Sequence, residues 1–272
     1  MDKNLIRNMP DGFLSVRYLG QAGFLLQSGG VSVVIDPYLS DSVDRSIPNA
    51  GWKRKYPAPI KPEDLRDADI VLLTHSHLDH TDPDTAEPLY QAGSSLFIAP
   101  HEVVGALKSR GFSDSRVVAL DDLQSMNLKS TTVTAIAAAH EELHFDLQGH
   151  ICELSYHITF PGGISVFAGG DMSFYPGLPE KIPRSQLAFL PINGRSFQRA
   201  QAGIIGNLTF DEAADLSALL EVNMVIPSHF DLYDINGCNP AWFADYMETH
   251  HPGRAYHIMQ PGEQFIFAPD SE

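Results

Sequence analysis

Thr74-His75-Ser76-His77-Leu78-Asp79-His80 follows directly on the apolar run Ile70-Val71-Leu72-Leu73, which reads as a buried strand. In extended backbone His75 and His77 project to the same side. Asp79 and His80 are adjacent, so they reach the same place only if the chain turns there. Asp82-Pro83 and a helix read over 83–92 supply that turn. Three histidines and an aspartate at the end of a buried strand have little structural use, and their chemistry suits a metal. One cation does not readily use four such groups together with further ligands; two cations about 3.5–4 Å apart do.

Working outward, three more candidate ligands stand where apolar runs end. Residues 131–139 lead into His140, residues 165–167 into Gly169-Gly170-Asp171, and residues 224–227 into Ser228-His229. The glycines before Asp171 permit close approach of backbone. Asp36-Pro37 ends another apolar run in the same way. Asp36 is read either as a carboxylate that orients a ligand histidine from behind or as an ordinary turn-initiating Asp-Pro.

The motif His75-x-His77-x-Asp79-His80, followed in order by His140, Asp171 and His229, resembles the metallo-β-lactamase superfamily over nearly the whole chain. The resemblance implies an α/β fold, a four-layer αβ/βα sandwich of two mixed β-sheets flanked by helices. It implies two divalent metal ions per chain. His75, His77 and His140 would hold one, Asp79, His80 and His229 the other, and Asp171 would bridge them. Leu19-Gly20-Gln21-Ala22-Gly23, Val34-Ile35-Asp36, Gly170-Asp171 and residues 225–231 are similar to the branch that contains L-ascorbate-6-phosphate lactonase. That likeness implies opening of a small sugar-derived or phosphorylated lactone, and a homo-oligomer of undetermined size. The chemistry agrees with a hydrolase. Two divalent ions lower the pKa of a shared water towards about 7 and stabilise an oxyanion. Asp79 or Asp171 would carry the proton as catalytic groups. No Gly-x-Ser-x-Gly occurs, which disfavours a serine nucleophile. Imidazole and carboxylate without thiolate suit zinc, manganese or iron(II), with the resemblance favouring zinc or manganese.

Around this centre the runs 14–19, 23–27 and 31–35 read as an antiparallel meander, and 36–62 as a long irregular segment. Strands are expected at 69–74, 95–99, 117–120, 131–138, 151–160, 164–168, 187–192, 223–226, 256–259 and 264–267. Helices are expected at 83–92, 102–110, 209–220 and 240–249. Thr209 with Glu212 forms a capping box. Sheets come first and helices follow in each half, which fits a layered α/β sandwich. No linker divides the chain, so residues 1–272 are read as one hydrolase domain.

The 272 residues are 43% hydrophobic and 19% charged, a globular composition. Acidic residues outnumber basic ones 34 to 18, a formal charge of -16 that repels a phosphate backbone and argues against long nucleic acids. Two cysteines do not make a disulfide framework. Residues 1–15 lack the pattern of a signal peptide, and no apolar stretch reaches the roughly 18 residues of a membrane helix. A cytoplasmic enzyme with no membrane association is expected.

For the substrate, Arg195 and Arg199 after Asn193-Gly194 are candidates for clamping an anionic small molecule, with Asn193 and Asn207 as donors; the alternative is a solvated loop. Trp52-Lys53-Arg54-Lys55-Tyr56 is a second anion candidate, or a solvated basic patch. His144 and Asp146 are read as pocket acids or bases, or as groups that tie a loop. Two other functions stand beside the lactonase: a phosphodiesterase or nuclease-type metal hydrolase, and a binding module stabilised by its metal.

Overall fold

A computed structural model describes residues 9–269; part of the amino-terminal stretch read for a signal peptide lies outside them. Seven strands build each of two sheets. The first contains β1 (Leu14–Gly20), β2 (Gly23–Ser28), β3 (Val31–Ile35), β4 (Ile70–Leu72), β5 (Leu96–Ala99) and β6 (Val117–Ala119). The second contains β7 (Ser125–Leu128), β8 (Thr131–Ala137), β9 (Leu154–Thr159), β10 (Ser165–Ala168), β11 (Leu187–Pro191), β12 (Met224–Ser228) and β13 (Ala255–Tyr256). The last strand, β14 (Gln264–Phe267), returns to the first sheet beside β1. β14 to β3 pair antiparallel and β3 to β6 parallel. In the second sheet β7 to β10 pair antiparallel and β10 to β13 parallel. Both sheets are therefore mixed.

Strand periodicity explains the layers. Val31, Val33 and Ile35 of β3 point to one face, and with Ile70 and Leu72 of β4 they enter the core between the sheets. There Phe24 of β2 stacks on Phe189 of β11, ring centroids 4.2 Å apart. The alternate residues Val34, Val71 and Leu73 face outward, where α2 (Pro83–Ala92) and α3 (His101–Ser109) cover them with Leu89, Val103 and Leu107. On the far side α6 (Phe210–Leu219) and α7 (Pro240–His250) cover Ala188, Leu190 and Val225 with Leu216, Phe243 and Met247. The order helix, sheet, sheet, helix is the expected four-layer sandwich.

Several local readings need correction. Residues 36–62 are not wholly irregular: Ser42–Ser46 form a short helix, α1. Two more short helices, α4 (Leu178–Lys181) and α5 (Phe197–Gln201), escape periodicity because each is about one turn long. β7 is an edge strand of alternating Ser, Met, Asn and Leu, too polar for a β signal. The strand expected at 151–160 begins only at Leu154, because Ile151 makes an isolated bridge to Phe145 instead. The strand expected at 256–259 is two residues long, Ala255–Tyr256. Cys152 and Cys238 are unpaired, and no helix among the described residues is long and apolar enough to cross a membrane.

Candidate metal centre

Five strands end at one edge of the sandwich, and each is followed by a candidate residue: β3 by Asp36, β4 by the Thr74–His80 loop, β8 by His140, β10 by Asp171 and β12 by His229. The Thr74–His80 loop is wound tightly. The backbone N–H groups of His80 and Thr81 both donate to the His77 carbonyl, at 3.0 and 2.7 Å. Asp82 then caps α2 by accepting from the Asp84 N–H, with Pro83 in the first turn. Gly170 has φ +62°, and a Cβ there would lie 2.7 Å from Thr74 Cγ2, so only glycine lets the Asp171 loop sit against the histidine loop. Gln21, Asp36 and His229 also have positive φ (58°, 39° and 58°), backbone strain gathered at one site.

The seven side chains meet in two groups. His75, His77, His140 and Asp171 offer ligand atoms within 4.8 Å of one another, and so do Asp79, His80 and His229. Asp171 faces both groups. Its Oδ1 lies 3.2 Å from His80 Nε2 and 3.3 Å from His229 Nε2, while Oδ2 lies 3.5 Å from His140 Nε2. Asp79 Oδ2 lies 3.4 Å from His229 Nε2. Donors about 2.0–2.2 Å from a tetrahedrally bound cation sit about 3.3–3.6 Å apart. The distances here scatter around that range, from 2.9 Å between His75 Nε2 and His77 Nδ1 to 3.8 Å between His80 Nε2 and Asp79 Oδ2. Buried His80 Nε2, both ring nitrogens of His140 and Asp171 Oδ1 have no hydrogen-bond partner. Such orphans are costly in a dry interior unless something coordinates them. The donor set fits divalent cations.

Electrostatics point the same way. Burial and neighbouring imidazoles hold His75 well below the usual range and push His140 down to about 4, against the pull of Asp171. Both imidazoles are neutral at pH 7, the form that binds metal. Burial also opposes charge on His80 and His229, but the carboxylates of Asp171 and Asp79, with Asp36 beside His80, outweigh it and raise both. Burial would raise Asp79 and Asp171, yet the imidazoles of His80 and His229 hold both low. The carboxylates that favour positive charge on His80 and His229 would equally favour a cation bound between them.

Asp36 accepts from His80 Nδ1 at 2.7 Å, from the Thr74 hydroxyl at 2.7 Å and from the Thr74 N–H at 2.8 Å. It is fully buried behind the histidine loop. Two residues beyond the expected set join this network. Gln21 donates from Nε2 to Asp79 Oδ2 at 2.7 Å and lies 3.0 Å from His229 Nε2, while its carbonyl accepts from the His229 N–H at 2.7 Å. Thr74 links Asp36 to the motif. Gln21 stands inside the Gly20–Gly23 turn, and its neighbours in space are not neighbours in sequence, so only its place in the quoted turn signals it.

The expected substrate clamp is not built as the sequence suggests. Arg195 pairs with the Glu212 carboxylate (Nη1 to Oε2 2.8 Å, Nη2 to Oε1) and donates to the Asn207 carbonyl. Arg199 donates to the carbonyls of Asn193, Ile235 and Gly237. Both guanidiniums tie their loop to neighbouring segments, Arg195 to α6 and Arg199 to the loop after β12, where carbonyls need donors. Asn207 donates to Asn193 Oδ1, and Asn193 donates to Asn236 Oδ1; of these three amides Asn236 reaches the cavity wall. Arg54 is likewise occupied by the carbonyls of Tyr38, Ser40 and Tyr56, and Lys55 lies 3.4 Å from Asp234. His144 pairs with Glu153 and Asp146 with His150, contacts that tie a loop.

Glu212 closes the α6 capping box and holds Arg195. We expect Glu212→Ala to cost about 1–2 kcal/mol, a cap plus a half-exposed ion pair. Burial raises the Glu212 carboxyl, but Arg195 and the Thr209 N–H outweigh it and lower the pKa. Its contribution is therefore present above the ordinary glutamate pKa and is lost as pH falls through the folded value. Urea titrations at neutral pH and below about pH 4 should show the wild-type advantage shrinking in acid; a constant gap would contradict the assignment.

A model of the beta-lactamase superfamily domain matches residues 32–230. A UPF0173 metal-dependent hydrolase of Methanosarcina mazei is 27% identical, over 92% of this chain and 97% of that protein. A second UPF0173 metal-dependent hydrolase, of Rubrobacter xylanophilus, is 26% identical, over 93% and 96%. A metallo hydrolase from Ignicoccus hospitalis has the same fold, with a TM-score of 0.73 at 20% identity, over 95% of this chain and 100% of that one.

Proposed function

Because the chain belongs to the metallo-β-lactamase superfamily and is a metal-dependent hydrolase, we propose that it opens a small lactone at a binuclear centre. The observation that carries this is Asp171, whose two oxygens face two separate groups of imidazoles. His75, His77 and His140 would hold one cation, Asp79, His80 and His229 the other, with Asp171 between them. Zinc, manganese and iron(II) all suit these donors. Bound there, the cations supply Lewis acidity and acidify water towards a pKa of about 7.

The chain's own groups do the rest. Asp79 lines the cavity, and Gln21 fixes its Oδ2. A carboxylate held low accepts a proton only transiently and passes it on. Water oxygen bonds to the lactone carbonyl carbon, the ring acyl C–O bond breaks, and Asp79 moves one water proton to the departing ring oxygen. The product is a hydroxycarboxylate, and the remaining proton goes to solvent. Asp36 orients His80 from behind. Both sheets contribute donors, which supports one hydrolase domain.

The likeness to the ascorbate-6-phosphate lactonase branch motivates the lactone. Its phosphorylated version has weaker support, since Arg195 and Arg199 are engaged elsewhere. Purified protein should open γ-lactones, lose that activity in chelator and regain it with zinc or manganese. Cleavage of bis(p-nitrophenyl) phosphate without any lactone opening would replace this reading with the phosphodiesterase. Normal folding in chelator with no turnover of either class would leave the metal-stabilised binding module.

A further inference from the structure

The cavity beside the histidines has a volume of about 230 Å³, somewhat below the usual range for a ligand pocket. Asp79, Asp171 and the imidazoles form its floor. Its walls include apolar side chains from two loops: Trp52 and Ile47 from the loop around α1, and Ile204 and Ile205 from the loop after α5. No lysine or arginine among the described residues lines it. Arg195 is engaged by Glu212, and Arg54 and Arg199 by backbone carbonyls, while the exposed Lys53 lines a different cavity. The chain as a whole carries -16, so no diffuse field draws an anion in. One neutral polar group interrupts the wall. Asn236 accepts from Asn193 through Oδ1, which turns its amide nitrogen away from that partner.

From this wall we infer that the substrate is an uncharged small ester or lactone. Its apolar arm lies between Trp52, Ile47 and Ile204–Ile205, and it carries no phosphate or carboxylate. The inference rests on the hydrolytic reading above for the reacting group, and on the cavity alone for the arm. A charged substituent placed on these walls, where Ile47 and Ile205 are partly open to solvent, would lose part of its water and gain no partner. An alkyl arm gains from burial at each methylene until the short cavity is full.

The test uses the metal-loaded protein and γ-lactones with n-alkyl arms from methyl to hexyl. The same ring with a carboxymethyl or phosphomethyl arm completes the panel. We expect kcat/KM to rise about three- to fourfold per methylene over the first few carbons. The charged lactones should lie at least about tenfold below the alkyl lactone of equal size. Trp52→Ala and Ile204→Ala should flatten the chain-length slope, and Ile47→Lys should narrow the gap to the charged lactones.

Matching γ-lactams give a second readout, binding followed by Trp52 fluorescence in a Trp242→Phe background, since the chain has two tryptophans. Lactam affinity that climbs with arm length, without any lactone opening, would support the apolar pocket and overturn the lactonase. Lactones opened with a flat slope, or with the charged arm preferred, would keep the lactonase and overturn the pocket inference. A flat lactam series would overturn it as well.

Discussion

Asp171→Ala is expected to lower kcat/KM by at least about 10³-fold and to leave purified protein with far less bound metal. The side chain is 5% exposed and faces His80, His229 and His140 through two oxygens. Alanine removes a shared donor and also the negative charge that offsets crowded imidazoles. Without it, repulsion between two divalent cations a few ångströms apart would go uncompensated. Asp171→Asn keeps the shape and one oxygen but not the charge, so it should retain more metal than alanine and still lose most activity. Elemental analysis per chain beside steady-state kinetics checks both. Full metal content with wild-type turnover in the two variants would remove the binuclear assignment.

Asp36→Ala should be the second largest effect, although Asp36 is wholly buried behind the site. Three donors lose their acceptor at once: His80 Nδ1, the Thr74 hydroxyl and the Thr74 N–H. Loss of such an outer partner typically weakens metal binding about 10–100-fold. Stranding buried donors should also destabilise the fold by about 2–4 kcal/mol. Asp36 has φ +39°, which asparagine tolerates better than alanine, so Asp36→Asn should recover part of the stability. Chelator competition separates the metal effect from urea unfolding. Unchanged metal affinity in a folded Asp36→Ala protein would make Asp36 a turn residue and nothing more.

The candidate metal donors were legible because their signal is local or repeats a simple rule. Four lie within six residues after a buried strand, and the other three each follow an apolar run. Strand ends in parallel register bring such residues to one edge without any help from their neighbours in sequence. The substrate side had no comparable signal. Arg195 and Arg199 look like a clamp at their spacing, yet carbonyls and Glu212 claim both once the loops close. Short helices such as Phe197–Gln201 leave no periodic trace, so the loop that carries Ile204 and Ile205 could not be placed.

Apolar runs bounded by turn and cap residues were enough by themselves to suggest a layered sandwich with candidate ligands at strand ends; that all seven gather at one edge was what the resemblance to the metallo-β-lactamase superfamily implied. Side-chain direction follows backbone period, and that information is carried residue by residue. Tertiary structure alone decided what faces the reacting centre. Trp52 and Ile47 line one cavity with Ile204 and Ile205, more than half the chain away in sequence, and Gln21 reaches Asp79 from a turn in the first hairpin. Those encounters depend on how loops cross in space and on which carbonyls are left needing donors, quantities that no local stretch of sequence contains.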